Sequence, residues 1–275
     1  MNAERPTYRT WRPILVFFLV TVLISWTAWG VMALLGVEPG LDLGGLLWLL
    51  GGFGPPIAAI LVTEITEGRA ATRELLGRLF RWRPGWRWYG VALLLPGVVV
   101  VGAVVIDAVI WDVDTALPTP AFVLLFVGLV VVSSVIGGGQ EEIGWRGFAL
   151  PRVQASYSAL TASLLVGVMW TVWHFPLFVV PGTVQTDLPL LPFVVQGIAL
   201  AVVFTWLYNS TGGNLLLAVL LHGSHNAWIS SVWLLRDEVA PTTFWVITAL
   251  VCLLAVGMAV VYGSDDLARQ ERQRA

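Results

Sequence analysis

The chain of 275 residues is predicted to fold as an all-α polytopic membrane bundle of about eight transmembrane helices, on three observations. Apolar residues make up 57% of it and charged residues only 12%, about half the charge of a soluble domain, and the mean hydropathy is +0.83. The apolar residues fall into eight runs, each close to the ~20 residues that cross a ~30 Å hydrocarbon core. The arginines between those runs fall almost entirely on alternate loops.

The first run, 14–35, follows Arg5, Arg9 and Arg12 but far exceeds the ~7–15 residues of a signal-peptide core, so it reads as a retained helix. The second, 43–63, contains Gly51-Gly52-Phe53-Gly54-Pro55-Pro56, the broken character that transporter helices use at a binding site. In the loop that follows, Leu75, Leu76, Leu79 and Phe80 recur at helical spacing while Arg69, Arg73, Arg78 and Arg81 take other positions, which predicts an interfacial helix. The third run is 88–110. The fourth, 121–139, ends in Gly137-Gly138-Gly139, which should loosen or kink the helix and let water approach. Runs 159–180, 190–208, 215–235 and 244–262 complete the set. Trp11, Trp82, Trp86 and Trp88 fall near run ends, where an amphipathic ring is favoured.

Arginine placement orients the chain, because short cytoplasmic loops concentrate positive charge. Every basic residue is an arginine, and one side holds Arg5, Arg9, Arg12, Arg69, Arg73, Arg78, Arg81, Arg83, Arg87, Arg146, Arg152, Arg269, Arg272 and Arg274. Only Arg236 lies opposite, among Glu38, Asp42, Asp112, Asp114, Asp187, Asp237 and Glu238. Eight spans with both termini in the cytoplasm satisfy this pattern, and seven would break it. Residues 1–275 read as one membrane domain, a multi-pass protein of a plasma membrane, and the absence of lysine fits a GC-rich prokaryotic genome. A net charge of −2 leaves no basic surface for a nucleic-acid partner. Cys252 is the only cysteine, which excludes an internal disulfide and a thiolate metal cage. Asn209-Ser210-Thr211 has the glycosylation pattern, but in a cytoplasmic turn it reads as chance.

Ionisable residues inside an apolar bundle are costly and usually face its interior or a watery cavity. The candidates are Glu141, Glu142 and Arg146 at the inner end of the fourth run, His174 in the fifth, and His222, His225 and Asn226 in the seventh. If runs four and five form a hairpin turning near 155–159, Glu141 and His174 are equidistant from the turn, roughly 24 Å of helix away at 1.5 Å per residue. The next hairpin places His222 and Asn226 roughly 15–20 Å above its own turn. Polar groups from three helices thus converge on one layer. Glu142 and Arg146, spaced i,i+4, can pair on one face while Glu141 is rotated by about 100°. His222 and Asn226 share the same spacing and can point at one ligand atom.

The stretch Glu141 to Arg146 resembles the EExxxR motif of the CPBP family, the CAAX proteases and bacteriocin-processing enzymes also called type II CAAX prenyl endopeptidase-like membrane proteins. His222 to Asn226 is similar to that family's HxxxN motif, and Trp170 to His174 to its FxxxH motif with Trp in place of Phe. The resemblance covers about 120–235, with the motifs in order and on separate predicted helices; His225 is outside them.

That resemblance implies proteolysis in the membrane plane of a membrane-associated protein or peptide. Glu141 is then the candidate general base on water. His174 would hold the water or shuttle the proton, His222 and Asn226 would donate to the developing oxyanion, and Glu142 and Arg146 would support them. The family is often described as metalloprotease, and Glu141, His174 and His222 could supply three ligands to a catalytic zinc. HExxH is absent, and Asn226 is a poor zinc ligand but a good oxyanion donor, so a reaction without a required cofactor is slightly favoured. Two other classes fit the same groups: a transporter with a Glu/His proton or substrate site, and a non-catalytic immunity or scaffold protein.

Overall fold

A computed structural model describes residues 8–111, 120–235 and 241–275. Arg5, Asp112, Asp114, Arg236, Asp237 and Glu238, used above to orient the chain, lie outside the described residues. The helices are α1 (Tyr8–Leu35), α2 (Leu43–Gly52), α3 (Gly54–Thr66), α4 (Arg69–Gly77), α5 (Trp86–Trp111), α6 (Pro120–Val135), α7 (Leu150–Gln154), α8 (Ala159–Trp173), α9 (Leu190–Ser210), α10 (Leu215–Leu235) and α11 (Pro241–Tyr262). Among the described residues no strand occurs. Among the described residues seven helices are long and apolar enough to cross a membrane, and α2 with α3 makes an eighth when the bent pair counts as one span.

That pair covers the second run, 43–63, and breaks within the glycine-proline stretch that gives the run its broken character in the sequence: α2 and α3 meet at 49°. Asp42 starts α2 by accepting from the backbone N–H of Gly44 at 2.9 Å, an N-cap. Phe53 ends it, and Pro55 and Pro56 begin α3, where a residue without N–H costs nothing because the first turn has no internal partner for it. The loop helix is also present as α4, whose Leu75 is buried while Arg73 is exposed.

The fourth run breaks more fully, at the glycines that the sequence marks for a kink. Helix α6 stops at Val135, and the chain turns at Gly138, with φ of +128°. It resumes as a 3-10 turn (Gly139–Glu141), a π-helical segment (Ile143–Ala149) and α7. The glutamates therefore sit on a turn after a break, not at the inner end of a continuous helix, and a rise of 1.5 Å per residue does not measure their depth. The segment is held closely to α3: a Cβ at Gly144 would lie 2.8 Å from the Pro55 carbonyl oxygen, so only glycine permits this approach.

Around this segment α8 packs on α9, α10 on α5 and α6, α11 on α9 and α5, and α1 on α2 and α3. Trp29, Trp145, Phe148, Trp173, Phe204 and Leu207 fill the centre. Outward-facing Leu19, Leu23, Val98, Val109 and Val260 are exposed, as expected where the surrounding solvent is lipid.

The arginine-bearing loops gather at one end and are tied by polar contacts. Arg152 pairs with Glu67. Asn214 Nδ2 donates to the Arg81 carbonyl at 2.6 Å, and Arg78 Nη1 to the Tyr208 hydroxyl at 3.4 Å. The C-terminal stretch folds under the same end, where Gln154 Nε2 donates to the Gln273 carbonyl at 2.6 Å and the Ala159 N–H to the Asp265 carbonyl at 2.8 Å. Asn209 is fully buried here and donates to Gln154 Oε1 and the Asp266 carbonyl, both at 2.8 Å. Its glycosylation pattern is thus sealed inside a structural knot.

Candidate active site

Glu141, at the end of the 3-10 turn, is buried, and its Oε2 accepts from the indole Nε1–H of Trp170 at 2.9 Å. Its neighbour Glu142 is engaged elsewhere. Arg146 Nη1 donates to both Glu142 oxygens at 2.9 Å, and both residues are fully buried. The guanidinium carbon lies 4.2 Å from the centre of the Phe204 ring and 5.1 Å from that of Trp170, so the cation is also held by aromatic faces. Spacing in the sequence pairs Glu142 with Arg146, as found; it leaves Glu141 unattached, whereas Trp170 holds it.

His222 has two attachments that spacing does not reveal. Its Nδ1 is 2.7 Å from Glu142 Oε1, and since an ionised carboxylate only accepts, Nδ1 carries a proton. Its Nε2 faces the Gly138 bend. A Cβ at Gly138 would sit 2.7 Å from His222 Nε2 and 2.5 Å from Asn226 Nδ2, so the bend needs glycine both for its positive φ and for this close approach. Asn226 Nδ2 donates to the Gly137 carbonyl at 2.7 Å, which occupies one of its two N–H bonds.

His174 follows the last residue of α8. Its Nδ1 lies 2.9 Å from the Trp170 carbonyl, an acceptor only, so Nδ1 donates and Nε2 is left with its lone pair when the ring is neutral. Trp173 and Phe193 pack edge-on to the ring, with centroids 4.5 and 5.5 Å away. Glu141, His174, His222 and Asn226 all line one cavity of about 480 Å³. A turn and two helices supply them, and the cavity has the size of a small-ligand or peptide side-chain site.

Several lining or supporting groups escaped sequence reasoning. Gln140 accepts from the Gly138 N–H at 2.9 Å and donates to the Gly52 carbonyl at 3.3 Å, tying the glycine bend to the end of α2; an amide beside two glutamates in an apolar run was its signal. Gln196 is buried in the cavity wall and accepts from Thr248 at 3.3 Å. His225, for which the motifs provide no role, lines the same cavity. Asp107, an ionisable residue inside the third run, is fully buried and accepts from Thr243; it stands apart from the cavity lining. In the sequence Trp170 is only an aromatic stand-in for Phe; in the structure its N–H is the part that touches Glu141.

The donor set tests the zinc alternative. Among the described residues no group of three His, Cys, Asp or Glu side chains is placed to hold a metal ion. Glu141, His174 and His222 share the cavity, but they do not close into a ligand set.

Residues 121–228 match the family model of the Rce1-like type II CAAX prenyl endopeptidases. The chain is 25% identical over 224 residues to CAAX prenyl protease 2 of Methanococcus maripaludis, an alignment that covers 75% of this chain and 80% of that protein. The match includes Glu141, Glu142, Arg146, Trp170, His174, His222 and Asn226.

Proposed function

We propose that this chain, a membrane-embedded peptide hydrolase whose residues 121–228 are an Rce1-like CAAX endopeptidase domain, cuts its substrate with a water activated by Glu141. The observation that carries this reading is the meeting of Glu141, His174, His222 and Asn226 on one cavity wall, while Glu142 is consumed by Arg146 and His222. One carboxylate faces the cavity as a base, and the other builds the wall.

The step is a hydrolysis. Glu141 takes a proton from water as the water oxygen adds to the scissile carbonyl carbon, and the carbonyl oxygen becomes an oxyanion. His174, whose Nδ1–H is spent on the Trp170 carbonyl, holds the water through Nε2. The oxyanion meets the Asn226 N–H not used by Gly137 and, when the ring carries two protons, the Nε2–H of His222. Donors fixed before the reaction stabilise developing charge without reorganising, which makes them effective in a site shielded from water. The carbon–nitrogen bond then breaks, and Glu141 returns its proton to the leaving amine.

The substrate class is a membrane-associated protein or peptide. The arginine asymmetry supports a multi-pass arrangement in a prokaryotic plasma membrane with both termini cytoplasmic. Glu141→Gln keeps the shape of the side chain and removes the base. It is expected to abolish peptide cleavage by detergent-purified protein while leaving thermal stability unchanged, and full cleavage by this variant would refute the reading.

A further inference from the structure

The peptide group between Gly137 and Gly138 is held at both ends. Its carbonyl, on Gly137, accepts from Asn226 Nδ2 at 2.7 Å, and its N–H, on Gly138, donates to Gln140 Oε1 at 2.9 Å. Gln140 is itself anchored, since its Nε2 donates at 3.3 Å to the carbonyl of Gly52. Gly52 ends α2, where a helix carbonyl has no partner within the helix. Amide groups thus form one chain from the α2–α3 bend to Asn226, and Gly52, Gln140, Gly137, Gly138 and Asn226 all line the cavity.

The direction of the chain fixes Asn226. A backbone carbonyl only accepts, so the atom of Asn226 that meets Gly137 is the amide nitrogen, and the second N–H of that nitrogen is the one available to the cavity. The peptides on either side have other ties: the Gly137 N–H donates to the Val132 carbonyl at 3.2 Å, and the Glu141 N–H to the Gly138 carbonyl at 2.9 Å. Among the described residues, the peptide between them is held by Gln140 and Asn226. Neither glycine has a Cβ to restrict its rotation, and Gly138 already stands at φ +128°. A turned peptide would draw its carbonyl away from Asn226, whose terminal amide torsion is broad and gives no aim of its own. Gln140 is only 6% exposed, so its loss would also leave the Gly138 N–H unpaired in a buried bend, which is costly.

The structure assigns Gln140 a positioning role in the reaction: it locks the Gly137–Gly138 peptide and, through that peptide, aims the second N–H of Asn226 at the oxyanion. This rests on the reading of Asn226 as an oxyanion donor. Gln140 acts through Asn226 rather than on the reacting atoms. Its bond to Gly52 makes the α2–α3 bend part of the same support, so the break in the second run contributes to the site.

Hydrogen exchange and a double-mutant cycle on detergent-purified protein test the lock and its use. Gln140→Met keeps an unbranched side chain and removes both bonds; if it does not fold, Gln140→Ala removes the same two. Exchange of the Gly138 N–H, followed at residue resolution, is expected to quicken about tenfold, the loss of one hydrogen bond, while the amides of α8 keep their protection. Unchanged protection of Gly138 would overturn the lock. For kinetics the probe is a peptide from a proteome-derived library that the wild type cleaves and Glu141→Gln does not. With Gln140→Met, kcat is expected to fall about 10–100-fold with KM nearly unchanged. In the Asn226→Ala background the same change should cost less than about twofold more, because the group it aims is gone. A full additional loss in that background would overturn the positioning role and leave Asn226 standing as the donor. If Asn226→Ala alone leaves kcat intact, the oxyanion reading falls and the role of Gln140 in the reaction falls with it.

Discussion

The indole N–H of Trp170 donates to Oε2 of Glu141 at 2.9 Å, and the carbonyl of the same residue accepts from Nδ1 of His174 at 2.9 Å. One residue of α8 therefore aims two members of the site, one through its side chain and one through its backbone. Its ring also stands edge-on to His222, with centroids 5.4 Å apart.

Trp170→Phe retains the ring and the backbone carbonyl but deletes the N–H. A hydrogen bond to a charged group contributes about 1.5–3 kcal/mol, and misplacing the base acts on the transition state. kcat is expected to fall about 10–100-fold with KM nearly unchanged. Steady-state kinetics check this, and an unaltered kcat would mean that the indole only packs.

Arg146→Ala is expected to act on stability before chemistry. It strands the Glu142 carboxylate in a fully buried position, and breaking a buried pair by removing one partner costs about 3–5 kcal/mol. Thermal unfolding in detergent should show a large loss for this variant and none for Glu141→Gln. Equal stability of Arg146→Ala and the wild type would contradict the role given to the pair.

Asn226→Ala removes the N–H offered to the oxyanion and the one that holds the Gly137 carbonyl. Turnover should drop roughly 10²–10³-fold, the effect of deleting one oxyanion donor, with little change in KM. A rise in KM at constant kcat would place Asn226 in ground-state binding instead.

Glutamate-activated water predicts that cleavage continues after exhaustive chelation, with elemental analysis of the same active sample showing no stoichiometric zinc. Activity that vanishes on chelation and returns with zinc, with His174 or His222 variants losing bound metal, would replace this mechanism by a metal-dependent one.

Hydropathy and arginine placement were legible without coordinates because the bilayer imposes them residue by residue. A span needs about 20 apolar residues wherever its neighbours are, and eight such runs agree with the seven crossing helices and the bent pair α2–α3. Polar groups are so scarce in those runs that Glu141, His174, His222 and Asn226 could be picked out singly, and i,i+4 spacing was enough to pair Glu142 with Arg146. Asp107 is equally visible as a carboxylate inside an apolar run, although it belongs to none of the motifs.

Contacts between distant segments were decided only by the tertiary structure, because local spacing carries no information about which face of another helix arrives. The Gly138 bend exists where His222 and Asn226 approach it from α10. Gln140 reaches back to Gly52, and Nδ1 of His222 finds Glu142 while Nε2 is left to the cavity. The same holds for the Trp170 N–H, which a sequence reads as one more aromatic ring until α8 is packed beside the turn that carries Glu141. Hydrophobic burial is nondirectional and can be read from composition; a hydrogen bond depends on distance and angle, so its partner is known only once the helices are in place.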